Sequence, residues 1–283
     1  MVDRSHEFRI LRRHWSGFED TATTHVVAVG GVAIGGDVPA IIAGPCAVES
    51  FEQALVVATA VRDAGIRLFR GGAFKPRTYP TSFQGLGDEG LEILAVVRRT
   101  TGLAIVTEVM DPRLVERVAE VADMLQIGSR SMQNTPLLVE AGRSGRPVLL
   151  KRGWSATLEE WLGAAEYVAR AGNTQIVLCE RGIRVPACEG YARAVLDLNV
   201  VAAVRALTPL PVIADPSHAA GRWDRVESLA RAALAAGAHG LLIEAVAAGA
   251  DRASLRSDAE QGVPPDVLER IAGGARGSRV WDP

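Results

Sequence analysis

Lysine is scarce in this chain: Lys75 in "AFKPRT" and Lys151 in "PVLLKRG" are the only two, so arginine supplies the rest of the 31 basic residues. Arginine is a planar fork that stays charged, whereas lysine is a compact, strongly hydrated point charge. Keeping lysine at two places therefore suggests a small anion to be gripped. Both lysines have basic company: Arg70 and Arg77 flank Lys75, Arg152 follows Lys151, Arg130 ends "QIGSR", and Arg181 and Arg184 share "CERGIR". Arg70, Lys75, Arg77, Arg130, Lys151 and Arg181 facing one pocket would repel one another strongly, so they imply a ligand carrying several negative charges, such as phosphate plus carboxylate. Arg152 and Arg184 are expected instead to pair with neighbouring Glu or Asp. A second set is Cys46 in "AGPCAVES", His218 in "ADPSH" and Glu244 in "LLIEAV", with Asp258 in "RSDAEQG" available as a fourth member. One thiolate, one imidazole and carboxylates make a divalent-metal site of mixed softness, suited to Mn, Fe, Co or Zn. Taken singly, a Cys is more often a small buried hydrophobe and a His a hydrogen-bonded core residue. Cys179, Cys188 and His239 have no comparable neighbours and read as structural.

Something must bring these scattered residues together. Eight short apolar runs recur along the chain: 40–44, 67–71, 103–109, 124–128, 147–153, 175–182, 211–218 and 240–246. Unalternating Ile, Val and Leu runs fit strands covered on both faces, as in a parallel sheet. Stretches between them, such as "SFEQALVVATAVRDAG" and "TLEEWLGAAEYVARAG", repeat apolar residues at helical spacing and end near a Gly. Eight strand–helix units predict an α/β fold, a (β/α)8 TIM barrel. The basic residues with Cys46, His218 and Glu244 fall at the C-terminal ends of its strands, where such barrels build their sites, and Asp258 follows in the loop after the eighth. Glu108 joins them from the end of the third run. His239, ahead of the eighth strand, falls at the opposite, stability face. Residues 1–38 read as an N-terminal extension with a β-hairpin over 25–38 closing the barrel's bottom. Residues 39–275 read as the catalytic barrel and 276–283 as a tail, frayed or an interface arm.

A formal charge of −2 gives no bulk attraction to nucleic acid or to an acidic membrane surface. Three scattered cysteines exclude a disulfide framework, and no segment approaches the length of a membrane span. A cytoplasmic protein is expected.

The motifs "IIAGPCAVES", "RGGAFKPRT" with "SFQGLG", "TEVMD", "QIGSRSMQN", "VLLKRG", "CERGIR", "ADPSHAAGR" and "AGAHGLLIE" resemble, in order, the 3-deoxy-7-phosphoheptulonate (DAHP) synthases of the short, type I beta group. The resemblance spans roughly residues 25–265. It implies a transferase that condenses phosphoenolpyruvate with erythrose 4-phosphate, at the start of the shikimate pathway to aromatic amino acids. It also implies a divalent metal, Mn2+ foremost, with Co2+, Fe2+ or Zn2+ as alternatives, and a homo-oligomer, dimer or tetramer. Residue by residue, it assigns the metal to Cys46, His218, Glu244 and Asp258. The phosphoenolpyruvate phosphate goes to Arg130, Lys151 and Arg181, its carboxylate to Arg70 and Lys75, and the aldose phosphate to Arg77 and Thr78. Lys75, Glu108, Lys151 and His218 become the catalytic set. The sister synthases making 3-deoxy-octulosonate 8-phosphate resemble Lys-Ala-Asn-Arg where this chain reads Lys75-Pro76-Arg77-Thr78. Three departures stand out: Tyr79 replaces the usual Ser, "AVAAGADRA" replaces a His-Pro-x-Pro stretch after Glu244, and Ala259-Glu260 replaces Gly-Lys after Asp258. They raise the alternative of a specialised synthase using another aldehyde. Rivals on the same barrel are a Schiff-base aldolase using Lys75 or Lys151, and a silent metabolite-binding regulatory barrel. The residues ahead of the hairpin are too few for an independent regulatory domain, so no built-in feedback site is expected.

Overall fold

The computed structural model describes residues 24–188 and 190–280. A two-stranded antiparallel hairpin, β1 (Val27–Val29) and β2 (Val32–Ile34), comes first, with Val27 opposite Ile34. Each of the eight apolar runs then contributes one strand: β3 (Ala40–Gly44), β4 (Leu68–Arg70), β5 (Ala104–Glu108), β6 (Met124–Ile127), β7 (Val148–Lys151), β8 (Ile176–Glu180), β9 (Val212–Ala214) and β10 (Gly240–Glu244). All neighbours run parallel, and β10 closes on β3 with Glu244 level with Gly44, so the sheet is a closed TIM barrel without edges.

The helices are α1 (Phe51–Asp63), α2 (Asp88–Thr101), α3 (Val115–Val121), α4 (Thr135–Arg143), α5 (Leu158–Arg170), α6 (Leu198–Leu207), α7 (Pro216–Ala220), α8 (Val226–Ala235) and α9 (Pro265–Arg276). Local sequence explains their starts. Ser50 caps α1 through the Gln53 amide, and Thr157 with Glu160 forms a reciprocal capping box on α5. The seventh unit departs from the one-helix rhythm, because the run 211–218 breaks after Ala214. Asp215 there accepts from the His218 amide and Pro216 has no N–H for a ladder, so the chain turns into the five-residue α7 before α8. That early turn carries His218 to the mouth of the barrel.

Two apolar layers hold the frame. One lies between strands and helices and includes the fully buried Phe69, Leu94 and Trp161, with the Trp161 indole donating to the Leu150 carbonyl. The other fills the barrel with Ile42, Leu68, Val106, Leu149, Val177, Cys179, Ile213 and Leu242. Val27, Val29 and Ile34 of the hairpin join this inner cluster, and the His25 amide bonds the Pro209 carbonyl, so the hairpin plugs the N-terminal end of the barrel. His239 sits at this same end, 3.2 Å from Thr24 Oγ1 and 3.1 Å from the Val212 amide, in the structural place expected for it. The Val280 amide bonds the Asp37 carbonyl, which ties the tail to the hairpin side. Extension residues 1–23 and tail residues 281–283 lie outside the described residues. No helix among the described residues is long and apolar enough to cross a membrane.

Candidate active site

At the C-terminal ends of the strands lies a polar cavity of about 260 Å³. Backbone proximity there is severe. Gly44, with φ 152°, would put a Cβ 2.0 Å from the Arg70 carbonyl, and a Cβ on Gly128 would lie 1.9 Å from Glu108 Oε1. Gly44 thus admits the backbone of β4 at Arg70, and Gly128 leaves room for the Glu108 carboxylate where it stands.

Against one side of the cavity, where His218 and Asp258 line it, lies a four-residue cluster. Ligand atoms of Cys46, His218, Glu244 and Asp258 all lie within 4.8 Å of one another. Cys46 follows β3, His218 rides on α7, Glu244 ends β10, and Asp258 arrives from the loop after β10 with φ 41°, a left-handed conformation that Asp tolerates better than most residues. The Cys46 thiol donates to Asp258 Oδ2 at 3.0 Å and accepts from Lys75 Nζ at 3.0 Å. Burial, reinforced by Glu244, pushes that thiol far above its ordinary range. His218 Nε2 is 3.2 Å from Glu244 Oε1, and its Nδ1 is 2.7 Å from Asp215 Oδ2, though off the line of a good hydrogen bond. Burial, helped by Lys151, outweighs both carboxylates and brings the imidazole down to about 4. Burial would raise Glu244 and Asp258, but His218 with Arg70 lowers the first, and His218 with Arg193 lowers the second.

The donor set fits a divalent ion. Glu244 Oε1 is buried without a hydrogen bond, the imidazole is held neutral, and Asp215 occupies the far ring nitrogen, as carboxylates do behind metal-bound histidines. The thiol proton is the one group that a metal would have to displace.

The opposite side is cationic. Arg70, Lys75, Arg77, Arg130, Lys151 and Arg181 all reach the cavity wall, as do Thr78 and Glu108. The strands supply Arg70 from the end of β4, Lys151 from the end of β7 and Arg181 just past β8. Their charge is only partly free. Arg70 meets Glu244 at 3.3 Å and Lys151 bonds Asp215, both pairs fully inside the protein. Arg130 instead donates to neutral acceptors, the Pro76 carbonyl at 3.1 Å and Thr78 Oγ1 at 3.0 Å. Arg70 Nη1, Arg181 Nε and Ser129 Oγ are buried polar atoms with no hydrogen-bond partner. Orphaned donors of this kind are rare unless a ligand satisfies them. Burial and the nearby Arg193 hold Arg130 and Arg181 below the usual guanidinium range. For Lys75, burial pulls down, but Cys46 and Glu108 outweigh it and hold the amine above its ordinary value.

The sequence expectations for charge pairing need one correction. Arg152 does pair with Glu180 at 3.2 Å and Asp197 at 2.9 Å, but Arg184 stacks on Trp154, 4.6 Å from its ring centroid, and has no carboxylate ion pair among the described residues. Four contributors were missed. Gln261 Nε2 donates to Glu244 Oε2 at 2.6 Å, while Arg193 holds Asp258 Oδ1 and Gln261 Oε1, each at 3.0 Å. Ser129 and Trp154 line the cavity. Trp154 lies just past "LLKRG" and its rim position could have flagged it, whereas Gln261 and Arg193 lie on no strand or periodic helix that would signal them. Tyr79 stands at the mouth with 68% of its surface exposed.

Comparison with known proteins matches residues 19–275 to the family described as the DAHP synthetase I family. A phospho-2-dehydro-3-deoxyheptonate aldolase of Thermotoga maritima is 48% identical over 226 residues, covering 80% of this chain and 65% of that protein. A 2-dehydro-3-deoxyphosphooctonate aldolase of Syntrophotalea carbinolica is 37% identical over 235 residues, covering 76% of this chain and 83% of that protein. A crystal structure of phospho-2-dehydro-3-deoxyheptonate aldolase (DAHP synthase) from Thermotoga maritima superposes with a TM-score of 0.86 at 41% identity, covering 94% of this chain and 75% of that one. The chain thus spans about two thirds of the length of its Thermotoga relative.

Proposed function

We propose that this chain, which belongs to the DAHP synthetase I family, condenses phosphoenolpyruvate with erythrose 4-phosphate to give 3-deoxy-D-arabino-heptulosonate 7-phosphate and phosphate. The observation that carries the reading is the juxtaposition of unpartnered cationic donors, Arg70 Nη1 and Arg181 Nε, with the Cys46, His218, Glu244 and Asp258 cluster, whose His218 and Asp258 line the same cavity. Such a cavity suits one substrate bearing phosphate and carboxylate next to a second bearing an aldehyde.

Arg130, Lys151 and Arg181 take the phosphoenolpyruvate phosphate, and Arg70 with Lys75 takes its carboxylate. Held in that register, C3 attacks the aldehyde carbon, water adds at C2, and phosphate leaves. The fixed cations stabilise charge that moves onto the phosphate without reorganising, which is the usual source of large rate gains. Arg77 and Thr78 hold the acceptor's phosphate, with Thr78 already tied to Arg130. The Glu108 carboxylate, oriented by Gln126 Nε2 at 3.3 Å, takes up or returns a proton inside the cavity. Cys46, His218, Glu244 and Asp258 would hold a divalent ion, Mn2+ or alternatively Co2+, Fe2+ or Zn2+, which when bound supplies Lewis-acid polarisation of the aldehyde oxygen.

An imine-forming lysine is disfavoured, since Lys75 donates to the Cys46 carbonyl and thiol and Lys151 to Asp215, whereas a Schiff-base lysine must be free and deprotonated. The test is phosphate release from phosphoenolpyruvate with erythrose 4-phosphate and Mn2+, with and without chelator. Release requiring aldehyde and metal supports the reading. A second reading, a different aldehyde acceptor, is favoured by exposed Tyr79 at the mouth. Turnover only with another aldehyde in a panel would select it.

A further inference from the structure

Cations gathered at a cavity repel one another, and proteins ordinarily offset that with carboxylates. Arg152 follows this pattern, lying between Glu180 and Asp197 and anchoring its own loop through a bond from Nε to the Ala156 carbonyl at 2.9 Å. That loop presents Trp154. Arg130, from the turn after β6, and Arg181 and Arg184, both from the loop after β8, bring their guanidinium carbons to 4.6, 5.7 and 4.6 Å from the centroid of the Trp154 ring. The Arg184 amide also donates to the Trp154 carbonyl at 2.8 Å, so the ring is fixed on its backbone side. None of these three arginines has a carboxylate ion pair among the described residues.

We propose that Trp154 is a positioning residue of the anion site: its neutral ring gathers three guanidiniums, of which Arg130 and Arg181 line the cavity, while leaving the charge of those two available for a phosphate dianion. An indole face attracts a cation through its quadrupole and transfers no countercharge. A carboxylate in the same place would bind the arginines as well and cancel what they offer the ligand. The unpartnered Nε of Arg181 and the neutral acceptors of Arg130 agree with charge held in reserve, as does the depression of both groups by burial and by Arg193. This inference rests on the reading of the cavity as the phosphoenolpyruvate site, and it concerns the phosphate end alone.

The experiment compares the full chain with W154F, W154L and W154E, measuring binding of inorganic phosphate and of phosphoenolpyruvate by calorimetry without any aldehyde, alongside thermal unfolding. W154F retains phosphate affinity within roughly threefold, and W154L loses roughly tenfold, the size expected when two or three cation–π contacts go. In W154E phosphate binding falls further than in W154L, yet the melting temperature stays at or above that of wild type because repulsion among the arginines is relieved. A merely structural Trp154 would make stability and affinity fall together in W154L and W154E, with W154E the less stable, and that result overturns the proposal. So does wild-type phosphate affinity in W154L. With turnover assayed as well, the phosphoenolpyruvate KM rises more than kcat falls. Phosphate binding without turnover in wild type counts against the reaction and not against Trp154; equal affinity in W154L and wild type counts the other way.

Discussion

On the Trp154 side of the cavity, guanidiniums meet an uncharged ring and neutral oxygens; around the Cys46 cluster, carboxylates hold charged partners, with Arg70 reaching across to Glu244 and Arg193 on Asp258. Both regions are built at the same strand ends, yet they store charge in opposite ways. Where cations have no countercharge, the complement is an anion. Where carboxylates, an imidazole and a thiol converge, the complement is a cation. Lys75 joins the two, reaching Cys46 Sγ from the substrate side. The contrast teaches that net basicity was the wrong quantity to count: Arg130 and Arg181 keep their charge for a ligand because neither has a carboxylate ion pair among the described residues, whereas Arg70, paired with Glu244, offers its unpartnered Nη1.

The contrast can be broken most severely at the metal side. Cys46→Ala is expected to abolish metal retention and lower turnover by about 10³-fold or more, with melting temperature little changed, because a Lewis acid supplies several kcal/mol to the reaction. Metal analysis of the purified variant checks it, and full activity would sink the cluster's assignment. Asp215→Ala comes next. It strips Lys151 and His218 of a shared, fully buried carboxylate and removes the cap of α7, so a loss of about 3–5 kcal/mol in denaturant unfolding is expected.

A pH titration sharpens the comparison without mutation. The folded imidazole of His218 sits at about 4, below its ordinary 6.5, so between those values the unfolded chain takes up a proton that the folded one refuses. Stability of the chelated protein should therefore be full above about pH 6.5 and fall as pH drops toward 4, by on the order of 2–3 kcal/mol. Asp215, held well below the carboxylate range by His218 and Lys151 against its burial, extends the loss below that window. A flat profile in chelator, or one unchanged in His218→Asn, would contradict this account. The smallest effect belongs to Gln261→Leu. Removing the amide that orients Glu244 should weaken metal affinity by roughly 10–100-fold while sparing phosphate binding on the Trp154 side.

The barrel was legible because its strands are buried on both faces. Runs such as "AIIAG" and "VLLK" cannot alternate there, so composition alone marks them. The run 211–218 was read too long, since Asp215 and Pro216 act through capping and a missing N–H rather than through hydropathy. Cys46, His218, Glu244 and the two lysines could be read from their types at strand ends; the structure clusters the first three and sets both lysines with His218 in the cavity wall. Arg193 and Gln261 were not legible, because neither lies on a strand or a periodic helix and each gains its meaning only from partners outside its own segment, 65 residues away for Arg193 and Asp258 and 17 for Gln261 and Glu244.

Sequence by itself determined the eight-stranded frame, the list of chemically able residues and their common end of the barrel, because strand burial and strand termini are local properties of the chain. Which arginines would be neutralised and which left open was decided only in three dimensions. Arg152 and Arg184 look alike in sequence, and yet one meets Glu180 and Asp197 while the other meets an indole. Electrostatic interaction falls with distance through space and not along the chain, so that choice exists only once the barrel has closed.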